Sequence, residues 1–386
     1  MAWKIPLADV QLGDEEKNAV LAVMESGWLT MGARTEAFEQ AFAEFLGVKH
    51  AFAVTNCTAA LHLACQILDI QIGDEIILPS LTFVATANSV RYAGAIPVFA
   101  DILSADDLTV SPEDIERRIT PKTRAIMVMH YAGYACDMKA IRTIADRHHL
   151  VLIEDAAHAV GASLDGKPLG VWGDVACFSF FSNKNMTTGE GGMIVTNNDQ
   201  YAEKIRLLRS HGMTTLTWDR HRGHAHTYDV VEVGYNYRID EIRSAIGLEQ
   251  LKKVMAWNER RKELVRTYHQ IFQRQCSEIH IPFQTYRGVS SFHIMPVLLP
   301  ENVEKPLFFE QMKENGIQTS FHYPPVHSFR VYQQARPANG FNLPMTERIS
   351  RREVTLPLYP TMKESDIQYV AEVITHWLSQ APRLSI

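Results

Sequence analysis

The sequence predicts an α/β protein built on a mostly parallel seven-stranded sheet sandwiched by helices, and three observations carry that prediction. Seven short apolar, β-branched runs recur: AFAVTN (51–56), DEIILPS (74–80), AIPVFAD (95–101), RAIMVMH (124–130), LVLIED (150–155), VACFSF (175–180) and GGMIVTN (191–197). Helix-period segments such as TAALHLACQIL (58–68) and DMKAIRTIADRHH (137–149) separate most of them. The runs are near-continuously apolar instead of alternating, which is the pattern of strands covered on both faces.

Taken in order, near-continuous apolar strands joined by helices read as members of a mostly parallel sheet. The loop between the sixth and seventh is too short for a crossover, so the last run is expected to bring in an antiparallel member. After residue 200 the pattern turns helical, with a long charged helix around 239–275. Beyond it, the strand-like SFHIMPVLLP (291–300) and further helices read as a second, smaller α/β domain. The expected division is 1–250 for a large domain carrying an N-terminal arm and 251–386 for a small one, since single cores seldom exceed ~250–300 residues.

Composition narrows the function. The chain has 386 residues, 46% of them apolar and 21% charged, which is ordinary globular usage. A formal net charge of −6 gives no global attraction to nucleic acid or an anionic membrane, so a small molecule is the expected partner. Five cysteines, Cys57, Cys65, Cys136, Cys177 and Cys276, form an odd set without C-x-x-C spacing, which argues against a disulfide framework or structural zinc. No secretory pattern opens the sequence and no stretch reaches the ~18 uninterrupted apolar residues of a membrane span, so a cytoplasmic location is expected.

In an open parallel sheet, ligands gather at the carboxyl ends of the strands. Asp155 ends LVLIED, so its carboxylate arrives there with little freedom; it can keep a heterocyclic nitrogen protonated, and a helix cap, a metal ligand or the acid of a nucleoside triphosphatase are its other readings. Lys184 lies between VACFSFF and GGMIVTN, beside Ser182, Asn183 and the stretch Gly189-Glu190-Gly191-Gly192. A free lysine has a pKa near ~10.4, so forming a Schiff base requires desolvation or a nearby charge. A solvated surface lysine is the bland reading. Thr55-Asn56-Cys57-Thr58-Ala59-Ala60 follows a strand and opens a helix, leaving free N–H groups at a positive helix end suited to an anion, with a simple N-cap at Thr58 as the alternative. Phe83, just past DEIILPS, can stack on a flat heterocycle or fill the core. A strand-end carboxylate, a lysine about thirty residues on and an earlier phosphate-type helix start together supply what pyridoxal 5′-phosphate (PLP) asks of a protein.

The ordered segments SGWLTMGARTEAFE (26–39), TNCTAALHLA (55–64), LTFVATANSV (81–90), EDAAHA (154–159), FSFFSNKNMTTGEGG (178–192), GYNYRIDEI (234–242) and HYPPVH (322–327) resemble the DegT/DnrJ/EryC1 group of sugar aminotransferases, within PLP fold type I. The resemblance spans nearly the whole chain. It implies that Lys184 holds PLP covalently, Asp155 pairs with the pyridine nitrogen and Phe83 stacks on the ring. Ser179, Thr58 and the backbone at Cys57 become phosphate ligands. His158 stands where many relatives carry glutamine beside the cofactor's 3-oxygen. Asn236 is similar to the asparagine that reaches the cofactor phosphate of a neighbouring subunit, which implies a homodimer with shared sites. The implied reaction moves an amino group from glutamate or glutamine to a nucleotide-linked 3- or 4-keto-sugar. Thr30, Trp218, Arg220, His322 and His327 are substrate-site candidates. A free keto-cyclitol substrate, dehydration and a non-catalytic PLP-fold protein are the rival readings; the dehydratase relatives carry histidine in place of Lys184.

Two other patterns fail. Gly161–Lys167 mimics the start of a phosphate-binding P-loop, but Pro168 replaces the magnesium-binding hydroxyl residue. His221, His224 and His226 in DRHRGHAHTYD lack metal-site spacing and have no cysteine partner, so no metal is expected.

Overall fold

The computed structural model describes residues 3–215, 218, 223, 227–334 and 341–382. The seven expected runs form one sheet: β1 (His50–Val54), β2 (Glu75–Pro79), β3 (Ile96–Ala100), β4 (Thr123–Met129), β5 (Val151–Asp155), β6 (Val175–Ser179) and β7 (Gly192–Thr196). Their order is β1-β7-β6-β5-β4-β2-β3. β7 alone runs opposite to its neighbours, pairing antiparallel with both β6 and β1, as the short loop before it requires.

Alternate side chains of each strand enter different cores. Ile126, Val128 and Leu152 face one side with Phe38 and Phe42 of α2 (Ala33–Leu46) and Ile141 of α6 (Met138–Arg147). Ala125, Met127 and Ile153 face the other, under α3 (Cys57–Gln66), α4 (Val84–Tyr92) and α7 (Asp199–Leu208). Two more helices, α1 (Asp14–Ser26) and α5 (Pro112–Arg117), complete this half. Helix starts are fixed locally: Asp137 caps α6 at Ala140 N and Asn198 caps α7.

The long helix α8 (Glu241–Gln275) has 35 residues and buries Ser244, Gly247, Leu251, Val254, Asn258, Arg261, Val265, Tyr268 and Phe272 in alternating steps of three and four. That seam touches two cores in turn. Leu251 and Val254 belong with the large sheet, whereas Leu264, Val265, Tyr268 and Phe272 join the C-terminal core. A division at residue 250 therefore falls inside a continuous helix, and the change of core comes between Val254 and Leu264. The C-terminal core is built from β8 (Met295–Leu298) antiparallel to β9 (Glu353–Leu356), with α9 (Lys305–Glu314), α10 (Pro344–Ser350) and α11 (Glu364–Gln380).

The N-terminal arm departs from the expected grouping. Ile5 bridges Ile317, and Lys4 N donates to Gly316 O, so the arm is anchored in the C-terminal core instead of the large domain. Burial of Ile5 (1% exposed) among C-terminal apolar residues is the reason. The P-loop-like stretch is a hairpin, Ser163–Leu164 with Lys167–Pro168, turning through Asp165 and Gly166 at φ 50° and 75°. No helix among the described residues is long and apolar enough to cross a membrane.

Candidate active site

The carboxyl ends of β1, β2, β4, β5 and β6 converge on one cleft of about 450 Å³. Cys57 and Thr58 reach it from the start of α3, Phe83 from the loop after β2, Asp155 from β5, Ser179 from β6 and Lys184 from the β6–β7 loop. His158, Asn183, His322 and Tyr323 line the same space. A volume within the ~300–1,000 Å³ of small-molecule sites, walled by apolar groups with a few convergent polar ones, suits a cofactor-sized ligand.

Each side chain is placed by local structure. Asp155 accepts from Thr86 Oγ1 at 2.8 Å and from Ala157 N at 3.2 Å. Burial pushes its carboxyl up, against the lowering effects of those hydrogen bonds and the Lys184 charge. Its neighbour Glu154 points to the opposite face, where it accepts from Gly170 N, Trp172 N and Gly173 N at 2.8, 2.7 and 2.6 Å and pins that turn. One strand end thus yields one structural and one site carboxylate.

Asn56, not Thr58, caps α3, its Oδ1 accepting from Ala59 N at 2.9 Å. The Cys57 and Thr58 N–H groups have no partner among the described residues, and both residues line the cleft. Gly192 permits this arrangement: a Cβ there would sit 2.6 Å from Asn56 C and 2.7 Å from Cys57 N, so only glycine lets β7 run beneath the helix start.

The Lys184 loop is tied down on both sides. Asn185 Nδ2 donates to Asn258 Oδ1 of α8 at 2.6 Å and to Ser291 O at 2.7 Å, and its Oδ1 contacts His293 Nδ1 at 2.8 Å. Thr187 N donates to Gln250 Oε1 at 3.2 Å. The amine of Lys184, with no hydrogen bond or ion pair among the described residues, has its pKa pulled down to about 8 by desolvation, against the raising influence of Cys57 and Asp155. Near neutral pH it is therefore a free nucleophile for an appreciable fraction of the time.

Phe83 is 53% exposed, which decides against a core role and leaves its ring at the cleft, 5.7 Å from that of Tyr323. His158 Nε2 contacts Tyr323 OH at 3.0 Å, while its buried Nδ1 is unpartnered. Desolvation, with the Lys184 charge behind it, holds His158 and His293 well below the usual imidazole range and His322 at about 3, so these rings stay neutral.

Other expected residues lie elsewhere. His327 does not line the cleft: the turn after Pro325 drives it into the interior, where Nδ1 meets Ser80 Oγ at 2.6 Å. Thr30 is exposed between α1 and α2. Trp218 packs on Trp28 with ring centroids 5.0 Å apart, and neither lines the cleft. Tyr235 and Tyr237 stack 5.0 Å apart beside His62, and the alternation turns the intervening Asn236 outward, away from this chain's own cleft. Arg220, with His221, His224 and His226, lies outside the described residues. Sequence reasoning missed Thr86, Asn183, His293 and Tyr323. Thr86 falls at helical spacing from Thr82, to whose hydroxyl it bonds at 2.7 Å, and Tyr323 sits within HYPPVH; either signal marked it.

The residues present fit PLP. An anion-binding helix start with two open N–H groups, a carboxylate held at a strand end, an aromatic ring and an unpaired amine share one cleft, in the roles that Thr58 with Cys57 and Ser179, Asp155, Phe83 and Lys184 would take. Comparison with known proteins agrees. Residues 10–375 match the DegT/DnrJ/EryC1/StrS aminotransferase family, and the chain belongs to it. It is a PLP-dependent aminotransferase. Among its relatives, the Bacillus subtilis spore coat polysaccharide biosynthesis protein SpsC is 38% identical over 379 residues, covering 97% of this chain and 96% of that protein. Among solved structures, Helicobacter pylori PseC, an aminotransferase involved in the biosynthesis of pseudoaminic acid, superposes with a TM-score of 0.90 at 32% identity, covering 97% of this chain and 99% of PseC. Streptococcus pneumoniae Spr1654 in its PLP form gives 0.90 at 26% identity, covering 97% and 99%.

Proposed function

We propose that this chain transfers an amino group from glutamate or glutamine to the 3- or 4-keto position of a nucleotide-linked sugar, supplying an amino sugar for a surface polysaccharide or glycosylated metabolite. The observation that carries the reading is the single cleft joining the Lys184 amine, the Asp155 carboxylate and the open start of α3. SpsC and PseC, named for polysaccharide and pseudoaminic acid biosynthesis, support a sugar as the acceptor.

When bound, PLP supplies the carbonyl that receives the amino group and a ring that draws electrons. The protein does the rest. Lys184 would hold the cofactor, and its amine, whose pKa burial lowers to about 8, would take a proton from the donor carbon and return one. Asp155, itself buried, would keep a positive charge on the ring nitrogen favourable. Cys57, Thr58 and Ser179 hold the phosphate, and Phe83 and His158 position the ring.

Asn236 is exposed in this chain, as a residue reaching into a second copy's cleft must be, and Thr30 and Trp218 join it outside the cleft; the active unit in this reading is a cytoplasmic homodimer. An acceptor screen tests the substrate: with glutamate or glutamine as donor, nucleotide-linked 3- and 4-keto-sugars should gain an amine detectable by mass spectrometry. Amination of free keto-cyclitols with no transfer to any nucleotide-linked sugar overturns the reading.

A further inference from the structure

The wall of the cleft opposite the strand ends contains a buried hydrogen-bonded chain that the amino-transfer chemistry above does not use. His322 lines the cleft. Its Nδ1 meets Thr355 Oγ1 at 2.8 Å, and Thr355 Oγ1 donates to Glu353 Oε1 at 2.8 Å. The other Glu353 oxygen, Oε2, accepts the His322 backbone N–H at 2.9 Å. Tyr131 OH donates to His322 O, closing the segment from the large-domain side. Glu353 and Thr355 are 1% and 0% exposed, so solvent offers them no substitute partners.

The protons can be counted. A threonine hydroxyl has one hydrogen, and an ionised carboxylate can only accept. With that hydrogen committed to Glu353, the contact between Thr355 and His322 must be Nδ1–H donating to Oγ1. The imidazole is neutral, so its Nε2 carries no proton and is the one ring nitrogen left to the cleft. We propose that Glu353 is a positioning residue that, through Thr355, fixes the tautomer of His322 so that the cleft meets an unprotonated Nε2, an acceptor for a hydroxyl of the keto-sugar. The substrate half of this assignment rests on the sugar reading above; the tautomer half does not.

The same chain is sensitive to protonation. If Glu353 takes one proton from solvent, its O–H donates to Thr355 Oγ1, and the threonine hydrogen turns to His322 Nδ1. The Nδ1 proton leaves to solvent in the cleft and another binds Nε2, so the net change is uptake of one proton and the ring now presents a donor. Burial pushes the Glu353 carboxyl up to about 7, against the lowering influence of Lys305 and its hydrogen bonds, which places the change near neutral pH. The titratable groups facing it are Lys305 from α9, Tyr131 after β4, and His322 and Tyr323 from the segment before β9, with Lys184 across the cleft. His322, held at about 3, does not take the proton itself.

Glu353→Gln tests this in the intact holoenzyme. The glutamine oxygen is needed for the His322 N–H, which leaves its NH2 toward Thr355 and reproduces the protonated arrangement. Nitrogen-15 NMR of the imidazole, with the His322 signals assigned by their loss in His322→Gln, should show Nδ1–H in the parent enzyme at pH 8.5 and growing Nε2–H as pH falls through about 7. Glu353→Gln should show Nε2–H throughout. At pH 8.5, where Glu353 of the parent is ionised, its KM for the keto-sugar should be about tenfold above the parent's, the size of one hydrogen bond, with a smaller change in kcat. Thr355→Val, which removes the hydroxyl but keeps the shape, should abolish the pH-dependent change of tautomer. A His322 that stays Nδ1–H in Glu353→Gln overturns the relay. A tautomer that changes while KM for every accepted sugar is unaltered overturns the hydroxyl contact, and a screen in which no nucleotide-linked sugar is aminated overturns the substrate reading while leaving the NMR result to decide the relay.

Discussion

The cleft has a floor and a wall of different origin. The floor comes from the ends of β1, β2, β5 and β6, where Thr58, Phe83, Asp155 and Ser179 stand within a residue or a few of a strand end and Lys184 follows in the next loop. The wall comes from 320–325 and β9, where His322 and Tyr323 are held by Thr355, Glu353 and, across the molecule, Tyr131. Floor residues start from strand ends and a helix start, with Thr86 on Asp155 and Asn258 and Ser291 behind the Lys184 loop, whereas His322 of the wall is aimed by side chains of β9, outside the large sheet. Substitutions in the floor should therefore strike the chemistry, and those in the wall should strike binding and pH response.

The sharpest break is Lys184→Ala. It should abolish the borohydride-reducible link between chain and cofactor and lower turnover by ~10⁴-fold or more, because in the proposed reaction Lys184 is both the attachment point and the proton carrier. A cofactor still fixed to the chain by borohydride would remove Lys184 from its role. Asp155→Asn should retain the link, visible as an unchanged cofactor absorption band in stoichiometry if not in position, yet lose roughly 10²–10³-fold in turnover. Near-parental amino transfer by that variant would separate the strand-end carboxylate from catalysis.

The wall sharpens the contrast through stability. Glu353 has a folded-state pKa raised from 4.5 to about 7, so the folded protein binds this proton more tightly than the unfolded chain does. Its stabilising contribution is present below the unfolded value and is lost as pH rises through the folded one. The stability of the parent relative to Glu353→Gln should fall between pH 5 and pH 8, by at most about 3 kcal/mol. Denaturant midpoints measured across that range check it, and a difference independent of pH would show that the carboxyl is ordinary. The smallest effect belongs to Tyr323→Phe, which removes the hydroxyl at 3.0 Å from His158 Nε2. About 1 kcal/mol, seen as a several-fold loss in kcat/KM, is the expected cost.

How much of this was legible follows the same line. All seven strands were visible because each is a short apolar run bounded by polar or turn residues, and the antiparallel member was visible because a short loop admits no crossover. Asp155, Lys184 and the start of α3 were legible because strand ends and helix starts leave local signatures. Phe83 was ambiguous until its exposure was known. His327 misled because it shares HYPPVH with His322, while the turn at Val326–Ser328 sends one ring to the cleft and the other to Ser80. The N-terminal arm, assigned by chain order to the large domain, packs with the C-terminal core because a bridge to Ile317 is a contact across more than three hundred residues.

By itself the sequence determined the sheet, the ligand edge and the strand-end and helix-start groups that meet in the cleft, since periodicity, loop length and capping act over a few residues. Only the tertiary structure decided which histidine meets the cleft, which tautomer it shows and where one core gives way to another along α8. Those depend on hydrogen bonds and burial between segments such as 131, 322 and 353, and no local pattern encodes that a carboxylate, a hydroxyl and an imidazole will meet in the interior.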